Sequence, residues 1–440
     1  VLLHVFIHFE VNLTAKWKVI MGTILSPVND KSCLCYPSGA MVLKKGANGY
    51  KIVDLGDQKI LEKYSKNRSI DTLDFGSKII VPGFLDLHFH WVQDDVREKP
   101  KDNLLRWLED YTWPAEGKFK NPSYSREKAK LFSRSLIKNG TLGGACYGSI
   151  HAHSVEHAFK EFIGDFFIGN VLMTMNSPDY LLQTNKQAIK LIDKLAQKYK
   201  SRYVVTPRFA PTTDEVVMAH GARVRKKVNC FVQSHLCETQ NEIEWVLSIF
   251  RQRKGFEDVK SYSDIYYRVG LLGEKTIMGH GVHLTAHDRS LLRKTKTAVA
   301  HCPTSNAPKS KLGLGSGLFD YRQANKDKIE WGLGSDIGAG PFLSMLDVMK
   351  SFVDQNKGSS GATYKSALYR STLKNAEILK IDKRVGCFSL KKEANFNVLS
   401  ISSSEKSAEK VLQSVFKKVS RREDFENIIE ATFFRGTSLY

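Results

Sequence analysis

The spacing of apolar residues changes near residue 80. From about Lys16 to Ile79, short β-branched runs alternate with Asn, Gly, Pro and Asp turns, as in KVIMGTILSPVND, AMVLKKGANGYKIVDLG and DTLDFGSKII. That pattern predicts a small antiparallel β unit. From Ile80 onward, apolar strands alternate with longer amphipathic segments, the signature of βα repeats on a parallel sheet. The strand candidates are IIVPGFLDLHFH, TLGGACYGS, FIGNVLMTMN, YVVTPRFAP, CFVQSHLC, TIMGHGVHL, TAVAHCPTS and IEWGLGSD. They supply the eight strands that a closed (β/α)8 barrel requires. Between them, SREKAKLFSRSLIKNG and NKQAIKLIDKLAQKYK repeat apolar residues at helical spacing, with Ser125, Asn185 and Gly140 as cap candidates.

After the last barrel strand, SMLDVMKSFVD and SALYRSTLKNAEILKI read as helices, whereas VGCFSLKKEANFNVLSI and IIEATFFRGTSLY return to strand-like alternation. The expected architecture is α/β: a TIM-like (β/α)8 barrel over residues 80–385, with a small β-sandwich domain formed by both chain ends, 1–79 and 386–440. Lys406 to Arg422 is expected to be a basic amphipathic surface helix.

Composition narrows the class. In 440 residues, a hydrophobic fraction of 42% and a charged fraction of 25% are those of a globular chain, which argues against disorder and a membrane class. The net charge of +20 raises an anionic partner, but basic residues are spread along the chain without a nucleic-acid module, so solvated helix faces explain them better. No nucleic acid and no membrane are expected as partners. Seven cysteines without a regular framework read as reduced thiols of a cytoplasmic protein. The apolar opening VLLHVFIHFEVNL has no basic leader and no small-residue cleavage site, so no signal peptide is expected.

Candidate chemistry sits at strand ends, where such barrels build their active sites. His88 and His90 flank Phe89, so on a strand both imidazoles project to one face. Later strands end in QSHLCE, IMGHG and GLGSD. A catalytic zinc wants about three protein ligands and an open position for water. His88, His90, His235 and Asp336 would supply one zinc ion, and iron is an acceptable substitute for such a donor set. Asp336 can also accept a proton from the water. Glu238 follows His235 by three residues and is the natural proton carrier between water, a ring nitrogen and the leaving amine. His280 is either a further ligand or a neutral imidazole that orients the nucleophile, and with four ligands already named orientation is the favoured reading.

Taken together, PGFLDLHFH, SHLCE, GHGVHL, HCPTSN and GLGSD resemble the amidohydrolase superfamily, in its deaminase and chlorohydrolase branch. Within it, HFHWVQ, LLRWLEDYTWPAE and TPRFAPT are similar to the HxHxxQ, WLxxYTxPxE and PRFS segments of the guanine deaminase family. That resemblance implies conversion of guanine to xanthine and ammonia by a cytosolic homodimer with one zinc. It also implies that Gln93 and Arg208 hold the purine's polar edge and that Phe209 contacts its ring. Trp107, Trp113 and Glu116 would shape or close the pocket.

Some segments depart from that pattern. TLGGACYGS replaces a commoner GTTT-type strand, placing Gly143 and Gly144 where pocket packing would change, and HAHS offers a second HxH at His151 and His153 that reads as a loop. His301 and Cys302 are expected to support the site, with Asn306 near substrate. Two rival readings stand beside guanine hydrolysis. One is a related hydrolase of another amino- or chloro-substituted heterocycle, of adenosine or triazine type; the other is a catalytically silent binding homologue.

Overall fold

A computed structural model describes residues 15–66, 70–101, 103–419 and 421–440, so the VLLHVFIHFEVNL opening lies outside the described residues. The chain first forms β1 (Trp17–Pro27), β2 (Cys33–Gly46), β3 (Gly49–Asp57) and β4 (Ile70–Pro82). The barrel strands are β5 (Phe84–Phe89), β6 (Thr141–Gly148), β7 (Asp165–Leu172), β8 (Val204–Pro207), β9 (Phe231–Leu236), β10 (Thr276–His280), β11 (Ala298–His301) and β12 (Trp331–Leu333). The chain ends with β13 (Phe396–Ser402), β14 (Ile429–Phe434) and β15 (Thr437–Ser438).

Seven of the strand candidates contain a whole barrel strand and FIGNVLMTMN covers β7 except for Asp165 and Phe166; β5 to β12 pair in sequence order, all parallel. Both faces of these strands are covered, which is why they read as continuous apolar runs rather than alternating ones. The ring is drawn together between its first and last strands. Beyond the end of β12, the Asp336 backbone N–H donates to the His88 carbonyl (2.7 Å), and Asp86 on β5 accepts from the Ser335 N–H (3.0 Å) and Oγ (2.5 Å).

The run IIVPGFLDLHFH proves to be two strands. Ile79 to Pro82 end β4, and Gly83 alone separates them from β5. A Cβ at Gly83 would stand 2.6 Å from Leu142 Cδ1, and its N–H bonds the Asn395 carbonyl (3.0 Å), so one residue joins the two sheets.

The glycines of β6 face the β5 backbone and its neighbours. Gly144 has φ +149°, and a Cβ there would lie 1.9 Å from the Asp86 carbonyl oxygen. Gly144→Ala is expected to cost roughly 2–5 kcal/mol, combining backbone strain with overpacking. Urea unfolding checks this, and a midpoint equal to wild type would refute it. Because Asp86 leads directly to His88, the same change should loosen the site.

The other sheet has the order β15-β14-β13-β4-β1-β2-β3 and draws on both chain ends. It is mixed rather than wholly antiparallel. The 3-10 turn Gln58–Tyr64 leads the chain back across the sheet, so β4 pairs parallel with β1 while β2 and β3 form hairpin partners on the other side. Its core gathers Ile20, Met41, Leu43, Phe75, Phe396 and Phe433, the last two stacked at 4.4 Å.

Several local expectations shift. The helix Pro122–Lys138 is capped by Asn121, whose side chain accepts from the Ser123 and Tyr124 N–H groups, and Asn185–Tyr199 is capped by Thr184, so Ser125 and Asn185 lie inside first turns. Gly140, at φ +68°, does close its helix, as its freedom of φ allows. Of the VGCFSLKKEANFNVLSI stretch, only Phe396–Ser402 is strand. The helix Ala408–Lys418 buries Val411, Leu412, Val415 and Phe416, with Phe416 stacked on Tyr364 at 4.2 Å.

Candidate metal centre and active site

The C-terminal ends of β5, β9, β10 and β12 bring the candidate ligands together. His88 is the penultimate residue of β5 with His90 just beyond the strand, His235 is on β9, His280 ends β10, and Asp336 follows β12. Donor atoms of His88, His235, His280 and Asp336 all lie within 4.8 Å of one another, the one such group of His, Cys, Asp or Glu among the described residues. His90 stands beside it, its Nε2 3.1 Å from His235 Nε2 and 3.5 Å from Asp336 Oδ1. His88 Nε2 is 3.2 Å from Asp336 Oδ1, while His280 Nε2 is 3.9 Å from Asp336 Oδ2 and 3.5 Å from Glu238 Oε2. Thus His280, assigned to orientation, joins the donor cluster between Asp336 and Glu238.

These donors suit a metal on four grounds. His235 Nδ1 donates to the Arg208 carbonyl (2.5 Å) and His280 Nδ1 to Asn306 Oδ1 (3.0 Å), which leaves Nε2 of each neutral ring to carry the lone pair a metal would take. His88 Nε2 and His280 Nε2 are buried without a hydrogen-bond partner, a state a cation relieves. Ligands about 2.0–2.1 Å from a tetrahedral zinc stand a little over 3 Å apart, the spacing of the closest pairs here. Burial, reinforced by neighbouring histidines, drives His90 and His235 well below the usual imidazole range, and burial lowers His88, which favours the neutral form that ligation needs. His280 behaves differently: burial pulls it down, but Glu238 and Asp336 outweigh that and raise it.

Backbone strain marks the same places. Cys237 (φ +52°), His280 (φ +70°) and Asp336 (φ +51°) are left-handed non-glycine residues at three strand ends, where the turn re-aims a side chain into the barrel mouth.

Glu238 is buried beside this cluster, and burial pushes its carboxyl up to about 7, with Asp336 adding to the rise and His280 opposing it. A carboxyl near neutrality can both take and return a proton. Ser316 Oγ donates to its Oε1 (3.3 Å). The cavity in front takes apolar walls from Leu104, Trp107, Leu108, Phe209 and Ala339, the mix of apolar lining and a few convergent polar groups usual in small-molecule sites.

Gln93 and Arg208 both line that cavity, and a buried carboxylate lies behind them. Arg208 Nη1 donates to both oxygens of Glu116 (2.6 and 2.7 Å), and Gln93 Nε2 donates to Glu116 Oε1 (2.8 Å). Glu116 therefore supports the pocket rather than lining it. Trp107 lines the pocket, whereas Trp113 faces a separate cleft with Tyr180 and Trp245. His301 and Cys302 are buried at the end of β11, and Asn306 reaches the site through His280.

HAHS is not a loop. His151 caps the helix Ala152–Glu161 and His153 lies within it; their rings stack at 5.6 Å, and His153 Nε2 bonds the Phe119 carbonyl.

Three contributors have no role in the sequence reading. Tyr147 on β6 packs its ring on His88 (4.7 Å) and His90 (4.3 Å) and donates to the Ser234 carbonyl (3.2 Å). Ser316 has no local signature. Glu242 has one, the T-x-x-E capping box immediately after Glu238.

An eight-stranded parallel barrel with a histidine and aspartate cluster at its C-terminal mouth defines a class of hydrolase folds, and the chain belongs to the amidohydrolase family, whose model matches residues 79–431. At finer grain it is similar to the guanine deaminase of Escherichia coli (strain K12), with 34% identity over 394 residues, covering 86% of this chain and 85% of the relative. The solved E. coli guanine deaminase structure matches with TM-score 0.83 at 29% identity, covering 96% of this chain and 99% of that one. Guanine deaminase from C. acetobutylicum, solved with guanine bound in its active site, matches with TM-score 0.80 at 27% identity, covering 96% and 100%.

Proposed function

We propose that this protein hydrolyses guanine to xanthine and ammonia. The observation that carries this reading is that one cavity is lined by two donor-bearing side chains held by Glu116, Arg208 and Gln93, together with the carboxyl of Glu238 and the histidine and aspartate cluster. Arg208 and Gln93 suit the carbonyl and ring-nitrogen acceptors of guanine, and Phe209, backed by Trp245 at 5.9 Å, offers an aromatic wall to a flat base. The likeness to guanine deaminases over most of the chain supports the same substrate.

His88, His90, His235 and Asp336 would hold one zinc ion, with His280 directed at the nucleophile. Bound there, the metal supplies Lewis acidity and makes water acidic enough to be deprotonated near neutral pH. Glu238 takes a proton from the attacking water and places it on the ring nitrogen next to C2. His280 and Asp336 face the incoming oxygen and hold it toward C2. A C–O bond forms, the bond from C2 to the exocyclic nitrogen breaks, and a further proton passed through Glu238 lets that nitrogen leave as ammonia. Arg208, Gln93 and Phe209 keep C2 in place meanwhile.

A cytoplasmic homodimer fits this reading. All seven cysteines are free, as a reducing compartment favours, and no described helix is long and apolar enough to cross a membrane. Light scattering tests the dimer.

The decisive experiment is ammonia release from purified protein with guanine, adenine, cytosine and a set of aminotriazines, paired with metal analysis. Guanine should be the preferred substrate, with about one zinc per chain; chelation should abolish turnover and added zinc restore it. Zinc-loaded protein inert toward guanine but active on another heterocycle would replace this reading with that of a related amidohydrolase.

A further inference from the structure

Glu242 occupies the first turn of the helix Gln240–Phe250, and its two oxygens have different surroundings. Oε2 accepts from the backbone N–H groups of Glu238 (2.8 Å) and Thr239 (3.2 Å), and Thr239 Oγ1 accepts in turn from the Glu242 N–H (3.2 Å). This capping box uses one acceptor atom, and Gln serves such a box as well as Glu. Oε1 is not needed for it.

Yet the side chain is only 1% exposed, lines the cavity with Glu238, His280 and Arg208, and leaves Oε1 buried without a hydrogen-bond partner. The Tyr262 hydroxyl, which accepts from the Ala210 N–H (3.3 Å), stands close enough to favour the carboxylate but makes no hydrogen bond of normal geometry to Oε1. An anionic oxygen taken out of water and given no donor is unfavourable unless a ligand supplies one. The burial that raises the Glu242 carboxyl is the same penalty.

The rest of the cavity makes the complement clear. Arg208 and Gln93 bear donors, which suit the acceptors of a purine; Glu242, in the same lining, holds an unpartnered acceptor, Oε1, which suits a donor. Guanine carries ring N–H groups besides the amine that leaves. We propose that Glu242 Oε1 is a substrate-binding acceptor for a ring N–H of the base, while Oε2 of the same carboxylate holds the backbone of Glu238. This inference rests on the guanine reading above. One side chain thereby couples the position of the base to that of the proton carrier.

Glu242→Gln separates this role from capping. Its amide oxygen is retained by the Glu238 and Thr239 N–H groups, so its NH2 turns toward the base and sets donor against donor. The expected result is a KM for guanine about tenfold or more above wild type, with kcat changed by about threefold at most and with melting temperature and zinc content unchanged. Wild-type KM and kcat in E242Q would overturn the proposal and leave a cap alone, as would be seen if Tyr262 already served Oε1. A second measurement needs no variant. With 1-, 7- and 9-methylguanine, wild-type protein should lose about tenfold or more in kcat/KM for at least one of the three; equal turnover of all three overturns the proposal. If wild-type protein leaves guanine itself untouched, the guanine reading falls instead, so the two failures are distinguishable.

Discussion

Glu238→Gln protein is expected to retain its metal and its fold and to lose about 10²–10⁴ in kcat, with little change in KM. The substitution preserves shape and the hydrogen bond from Ser316, whose hydroxyl can donate to an amide oxygen as to a carboxylate. What disappears is a group able to alternate between base and acid. Burial has brought that carboxyl up to about 7, so the wild-type side chain can take a proton and return it near neutrality, whereas an amide does neither. Glu238 is outside the proposed ligand set, so metal analysis should give wild-type zinc beside collapsed ammonia release. Retention of full kcat would remove Glu238 from the chemistry.

The second large effect is expected on stability. Glu116 and Arg208 are 0% and 2% exposed, and the guanidinium depends on that carboxylate for both contacts of its Nη1. Glu116→Ala strands a buried cation, at a cost of about 3–5 kcal/mol. It also frees Gln93 Nε2 from its partner, so guanine KM should rise together with the fall in the urea midpoint. Glu116→Gln keeps the acceptor for Gln93 and should be milder. The double change Glu116→Ala with Arg208→Met should cost less than Glu116→Ala alone, because no charge is left unpaired. A Glu116→Ala protein as stable as wild type would show that water reaches Arg208.

Much of this architecture is legible along the chain because its causes are local and periodic. The barrel strands reveal themselves as apolar runs buried on both faces, and His88 and His90 share a face because a strand alternates its side chains. Strand-end positions of His235, His280 and Asp336 follow from the same runs ending. The limits are equally physical. IIVPGFLDLHFH reads as one strand because nothing local says that Ile79 to Pro82 pair with β1 and β13 while Phe84 onward pairs with β6. The cap of Pro122–Lys138 falls at Asn121 because its side chain accepts from the Ser123 and Tyr124 N–H groups, a choice among several competent polar residues.

The site divides in the same way. The candidate donor types, their order along the chain and the place of Glu238 three residues after His235 are legible in the sequence alone, since donor chemistry and strand periodicity belong to the residues themselves. Only the tertiary structure decided that Glu116 stands behind Arg208, 92 residues away, that Ser316 reaches Glu238 across 78, and that His280 joins the donor cluster. Those pairings arise where separate strand ends converge on one barrel mouth, and it is burial there that turns ordinary polar side chains into obligatory partners.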